Sequence, residues 1–142
     1  MRNSQHRDIP SCDPLFVFGH GLSYTTFDIS NLKLTPTSVS PRGSTRASVD
    51  ITNTGSRAGD EVVQLYINDP VASISQPVRR LRGFQRVTLA PGQTREVSFT
   101  LDRSDLGFYD NRGKFVVEPG PIDVYAGNSS SASVKQSFTV TR

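Results

Sequence analysis

The 142-residue sequence contains no tryptophan, one cysteine, one methionine and two histidines. No apolar run approaches the roughly 18 residues needed to cross a bilayer, so no membrane contact is expected. Cys12 has no partner within the chain, and the redox compartment cannot be read from disulfides. His6 lies in the polar tail and His20 between two glycines, so with Cys12 they are not expected to assemble the three or four nitrogen and sulfur ligands of a zinc centre. No metal and no cofactor are expected. The opening run Met1 to Asp8 lacks the apolar core of a signal peptide, so no export address is expected in this chain.

What is present suits one globular domain. A chain of this length buries roughly 70% of the surface that its unfolded form exposes, and 35% hydrophobic with 20% charged residues is an ordinary mixture. Net charge is +3, with a local cluster at Arg79, Arg80, Arg82 and Arg86. Only Phe84 lies inside that cluster, whereas single-stranded nucleic acid needs stacking aromatics beside the cations. A solvated strand face explains the cluster better, and no nucleic-acid partner is expected.

Residues 1–14 are polar, aperiodic and end in Pro10-Ser11-Cys12-Asp13-Pro14. They read as a poorly ordered linker or the truncated tail of a preceding domain. Residues 15–27 are different. Leu15, Phe16, Phe18, Leu22, Tyr24 and Phe27 are large and apolar, yet their spacing fits neither a helix nor a strand for long. The stretch is expected to be irregular backbone that is nonetheless buried, and such backbone must find partners for its polar groups.

From residue 28 onward the pattern is that of short strands. Phe27 to Thr35 is a strand whose facing parity switches at Asn31, the mark of a bulge, and 36–43 is a Pro- and Ser-rich loop. Ala47, Val49 and Ile51 alternate with Ser48, Asp50 and Thr52, a half-buried strand. Asp60 to Asn68 carries bulk on both faces and suits a central strand. Residues 71–78 form a longer loop. Leu81 to Leu89 is a strand with a bulge expected at Gly83, and Ala90-Pro91-Gly92-Gln93 is a type II turn. Val97, Phe99 and Leu101 face inward on the next strand. Asp102 and Asp105 suit the start of one helical turn. Asp110-Asn111-Arg112-Gly113 joins a hairpin, and strands over 122–126 and 134–141 close the chain. About seven strands, with turns about every 8 to 12 residues, predict an all-β antiparallel sandwich of the fibronectin type III or immunoglobulin-like kind, over 28–142.

Catalytic constellations are missing. Gly-Leu-Ser-Tyr around Ser23 is not a nucleophile elbow. The carboxylate pairs Asp60 with Glu61, Asp102 with Asp105, and Asp105 with Asp110 could in principle serve glycosidic acid and base work, but their places at turns and strand starts are explained by capping and solvation. Gly19-His20-Gly21 precedes a strand rather than a helix and makes no phosphate cradle. Asn128-Ser129-Ser130 is a formal glycosylation sequon that a turn accounts for equally well.

Pro14-Leu15-Phe16-Val17-Phe18-Gly19-His20-Gly21-Leu22-Ser23-Tyr24-Thr25-Thr26-Phe27 resembles the segment leading into the C-terminal fibronectin type III-like domain of glycoside hydrolase family 3 enzymes, the β-glucosidases and β-xylosidases. Thr52-Asn53-Thr54-Gly55, Ala58 to Tyr66, Pro77-Val78 with Leu81-Arg82-Gly83-Phe84, Leu89-Ala90-Pro91-Gly92 and Val117-Glu118-Pro119-Gly120 resemble later parts of the same domain, in the same order. Asp8-Ile9-Pro10 also resembles the lead-in of bacterial members. Two positions depart from the pattern: Val17 stands where proline is usual, and Asp123 occupies the site of a tyrosine found in true fibronectin type III domains.

The resemblance implies a non-catalytic accessory domain, because the family's nucleophile aspartate and acid/base glutamate lie in two other domains. No catalytic residue carries over, and no activity is expected from this chain alone. It further implies docking onto those catalytic domains through Phe16, Phe18, His20, Leu22, Tyr24 and Phe27, with possible self-association when they are absent. By the same resemblance the parent enzyme is periplasmic or secreted. The alternative is a stand-alone carbohydrate- or surface-binding sandwich, which would need an exposed row of aromatics. Without tryptophan, Tyr66, Phe84, Phe108, Tyr109 and Tyr125 are its only candidates.

Overall fold

The computed structural model describes residues 13–142. The expectations for Cys12, His6 and the polar stretch 1–12 lie outside the described residues. Ten strands and one helical turn follow in the order β1 Phe27–Thr35, β2 Ser38–Val39, β3 Thr45–Asn53, β4 Gly59–Asn68, β5 Arg80–Leu89, β6 Thr94–Leu101, α1 Arg103–Leu106, β7 Phe108–Tyr109, β8 Phe115–Val116, β9 Gly120–Gly127 and β10 Val134–Val140. Two sheets face each other, one ordered β1-β3-β6 and the other β2-β10-β9-β4-β5, and β7 with β8 forms a small hairpin sheet. The all-β sandwich is the predicted architecture, with more strands than the seven or so expected.

Alternation builds the core. Ala47, Val49 and Ile51 from β3 meet Val63, Leu65 and Ile67 from β4, with Val97, Ile122, Val124 and Phe138 packed in the same cluster. Each such side chain removed from water stabilises the fold by roughly 1.5 to 3 kcal/mol. β4 lies between β9 and β5, and its consecutive residues Val63 to Ile67 are all buried, as a strand covered on both faces requires.

The break expected at Asn31 is present. Ser30 pairs with Asp50 and Lys33 with Ser48, so Asn31 and Leu32 together oppose a single residue, and Asn31 adopts a φ of 57°. The bulge turns Leu32 and Leu34 inward where Phe27 and Ile29 faced the core before it. The second bulge falls one residue from the expected place. Leu65 pairs with Gly83 and Tyr66 with Leu81, leaving Arg82 as the extra residue. Gly83 instead serves packing, because a Cβ there would lie 2.6 Å from the Phe99 ring.

The loop expected over 36–43 contains β2, which pairs in parallel with β10 through Ser38↔Thr139 and Val39↔Val140. Two residues show no alternation, so the pairing left no trace in the pattern. The helical turn is built as expected: the Asp102 side chain accepts from the Ser104 amide at 2.8 Å and from the Asp105 amide, and Asp105 in turn accepts from the Asp102 amide at 3.1 Å, a reciprocal capping box. At the β5–β6 turn, Gly92 has φ +73° and the Gln93 amide donates to Ala90, which is type II geometry.

Candidate docking surface

The sandwich grips the main chain and the hydroxyl side chains of the lead-in and leaves most of its large apolar side chains outside. At one end the Ser130 amide donates to the Phe18 carbonyl at 2.8 Å, and Gln64 Nε2 donates to the Gly19 carbonyl at 2.9 Å. Further along, Ser23 Oγ donates to the Asp60 carbonyl at 2.7 Å. Thr25 Oγ1 donates to Asn53 Oδ1 at 3.0 Å, and the Thr54 amide donates to the Thr26 carbonyl at 2.9 Å. Three carbonyls of the irregular backbone and two of its hydroxyls thus find partners in the sandwich.

Asn53 is the centre of the second grip. Its side chain donates to the carbonyls of Arg57 at 2.7 Å and Leu89 at 2.9 Å, and accepts from Thr25 and from the Gly55 amide at 3.0 Å. Its own amide donates to Gln93, and its carbonyl accepts from Gly92. The residue is fully buried, and every polar group it has is used. Gly55 and Gly59 make room beside it, since a Cβ at either would collide with the Thr25 side chain.

Burial of the lead-in side chains is the expectation that the structure overturns. Leu15 is 90% exposed, Phe16 67%, Phe18 65%, Leu22 94% and Tyr24 97%. Main-chain carbonyls at Phe18, Gly19 and Thr26 are bonded inside this chain, but these large side chains stay mostly in solvent. Phe16 stacks on His20, with ring centroids 5.2 Å apart, and the His20 amide closes a turn onto the Val17 carbonyl at 3.0 Å. Phe27 separates from this group: it begins β1 and packs against the core.

The structure brings to this surface residues that the sequence reading named without assigning them to docking. Val78, exposed in the 71–78 loop, joins Val17 and Phe18 in lining an open hollow of about 690 Å³ with Arg79, Ser130 and Ser131. Arg79 fixes that hollow. Its Nη1 donates to the carbonyls of Ser130 and Ala132, and its guanidinium lies 4.0 Å above the Tyr125 ring. The loop also carries Val71, Ala72 and Ile74, so its composition alone did not mark Val78. Nearby, the loop is clasped by Glu118, which accepts from the amide of Ser73 at 2.9 Å and from its hydroxyl.

Alternative chemistries find no arrangement to support them. Asp60 holds Arg86 in an ion pair and accepts from Thr88; the Thr88 hydroxyl first, and then Arg86, hold its carboxyl below the usual range. Glu61 accepts from the Val62 amide, Asp102 and Asp105 cap α1, and Asp110 accepts from the amides of Arg112 and Lys114. The candidate acid/base pairs are therefore engaged in turns and caps. Arg80 donates to the Leu106 and Gly107 carbonyls, so Arg79, Arg80 and Arg86 are held by the protein itself rather than forming one cationic face. Among the described residues no cluster of three His, Cys, Asp or Glu could hold a metal ion, and no helix is long and apolar enough to cross a membrane. Of the aromatics considered for sugar stacking, Tyr66 and Phe108 are buried while Phe84 and Tyr109 are exposed.

Comparison with known proteins agrees with the β-sandwich fold. The fibronectin type III-like domain family model matches residues 61–130. The periplasmic β-glucosidase of Salmonella typhimurium is 46% identical over 123 residues, which are 87% of this chain and 16% of that protein. A β-xylosidase of Formosa agariphila is 46% identical over 128 residues, 90% of this chain and 18% of the relative. Among solved structures, a β-glucosidase from Erythrobacter marinus superposes with a TM-score of 0.90 at 42% identity, covering 94% of this chain and 18% of that one. The Listeria innocua β-glucosidase bound to glucose superposes at 0.88 and 34% identity, covering all of this chain and 19% of its own. The chain thus spans less than a fifth of these relatives, and it belongs to the fibronectin type III-like domains carried by glycoside hydrolase family 3 enzymes.

Proposed function

We propose that this domain acts as a non-catalytic accessory unit, docking through Phe16, Phe18, His20, Leu22 and Tyr24 onto the catalytic part of a β-glucosidase- or β-xylosidase-type enzyme and stabilising it. The observation that carries this is the lead-in itself, with main chain bonded into the sandwich and side chains facing outward. Covering four of its large apolar side chains would contribute roughly 1.5 to 3 kcal/mol each, enough for a firm contact between domains. Val78 and the 71–78 loop extend the same surface, and the loop would reach toward the substrate entrance. The chain contributes no catalytic group, so the two-carboxylate mechanism of retaining glycosidases belongs to residues elsewhere in the enzyme. A periplasmic or secreted setting follows from the Salmonella relative's description. Left uncovered, the apolar surface is a site for self-association.

The test supplies this chain in trans to a family 3 β-glucosidase from which the matching segment has been removed. Co-purification and a raised melting temperature of the truncated enzyme are expected, and a Phe16→Ser/Leu22→Ser/Tyr24→Ser variant should do neither. Absence of any complex with the unmodified chain would overturn the docking reading. The purified chain alone should leave aryl β-glucosides intact, and turnover surviving rigorous purification would overturn the accessory role.

A further inference from the structure

Gln64 occupies the middle of β4, yet it faces away from the inter-sheet core formed by Val63, Leu65 and Ile67. Its amide is buried and spent on contacts outside its own strand ladder. Nε2 donates to the carbonyl of Gly19 at 2.9 Å and to that of Asn128 at 2.7 Å. Oε1 accepts the Tyr66 hydroxyl at 2.5 Å. Burying an amide in a strand centre is unfavourable unless its hydrogen bonds are made, and here both hydrogens and the oxygen are engaged. The neighbouring carbonyl of Phe18 is taken by the Ser130 amide. The two successive carbonyls of the lead-in are therefore held from β4 and from the β9–β10 turn, each at a distance that admits no intervening atom.

Gly19 shows how close that fit is. It adopts φ +78°, and a Cβ would lie 2.1 Å from Gln64 Oε1 and 2.7 Å from the Tyr66 hydroxyl. Left-handed backbone favours glycine in any case, and the lack of a side chain lets the peptide lie flat on Gln64.

We propose that Gln64 is the positioning residue of the docking surface. It fixes the main chain at Phe18–Gly19 so that Phe16, Phe18 and Leu22 stand in one outward arrangement before a partner arrives. Preorganisation of this kind removes ordering cost from the docking step. The proposal rests on the reading of the lead-in as a docking surface, but its test needs no partner.

Hydrogen exchange of the intact chain, read by NMR, compares the unmodified protein with Gln64→Leu and Gly19→Ala. The Ser130 amide is bonded to the lead-in, so its protection reports whether the segment stays seated. Both variants should accelerate Ser130 exchange about tenfold or more, while the β3 amides paired with β6 keep their protection. Gly19→Ala lies outside the strands and keeps the test valid should Gln64→Leu fail to fold, in which case an unchanged Ser130 rate in Gly19→Ala overturns the proposal. A folded Gln64→Leu chain with Ser130 still fully protected overturns it as well. Accelerated exchange together with no complex in the trans experiment would remove the docking reading and leave the positioning role of Gln64 in place.

Discussion

The rings of Phe18 and Tyr66 meet edge to face, with centroids 6.5 Å apart and planes at 83°. Phe18 is mostly in solvent and Tyr66 is buried in β4, so this contact joins the exposed lead-in to the body of the sandwich. It anchors the segment at Phe18, while Phe16 and Tyr24 stand out in solvent.

Tyr66 is the first point of test. Removing its hydroxyl in Tyr66→Phe leaves Gln64 Oε1 without its donor and should cost about 1 kcal/mol, read as a lower denaturation midpoint at unchanged slope. Burial pushes the phenol pKa up, with Arg79 opposing it weakly. An acid whose pKa is raised by folding stabilises the native state only while protonated, so that contribution is lost as pH rises past about 10. The alkaline limb of the stability profile should be shallower in Tyr66→Phe.

Asn53 carries more. Asn53→Ala strands the carbonyls of Arg57 and Leu89, the Gly55 amide and the Thr25 hydroxyl. A loss of about 2 to 4 kcal/mol is expected, measured by urea unfolding. Asn53→Asp should be nearly as harmful, because a carboxylate accepts but cannot donate to those two carbonyls.

Gly83 supports the Phe99 ring at the Arg82 bulge. Gly83→Ala places a methyl group inside that ring's van der Waals envelope and should cost about 1 to 3 kcal/mol. Gly83→Ala combined with Phe99→Leu should recover part of the loss, a coupling that a double-mutant cycle reads directly.

Asp60 sets an acid dependence. Its pKa is lowered in the folded chain, by Thr88 first and Arg86 second. A carboxyl depressed on folding contributes stability above its ordinary value, lost as pH falls through and below about 4. Melting temperatures recorded from pH 6 down to 2.5 should fall less steeply for Asp60→Asn than for the unmodified chain, with the difference smaller in high salt.

Most of the fold was legible because it rests on patterns of period 2. Alternation through Ala47, Val49 and Ile51 located β3, the parity switch located the Asn31 bulge, and Asp102 with Asp105 announced the cap of α1. Features that depend on distant partners were not legible. The parallel pairing of β2 with β10 involves two residues, too few to alternate. The second bulge fell on Arg82 rather than Gly83, since a glycine in a strand marks either a kink or a close neighbour, and here Phe99 is the neighbour. The lead-in was marked by its composition, but composition could not distinguish apolar side chains covered by their own sandwich from apolar side chains left facing out. Gln64 read as one more polar position on a strand, and only its reach to Gly19 and Asn128 reveals its use.

The way the lead-in divides its polar and apolar groups also sets how it would meet another surface. Its carbonyls at Phe18, Gly19 and Thr26 are bonded to the sandwich, while Phe16, Leu22 and Tyr24 present rings and alkyl groups. A matching surface needs shape and greasiness rather than charge, so association through it should vary little with ionic strength. Without electrostatic steering, encounter between separate molecules is slow, on the order of 10⁵ to 10⁶ M⁻¹s⁻¹. Such a surface works best where covalent connection already keeps its counterpart at high effective concentration.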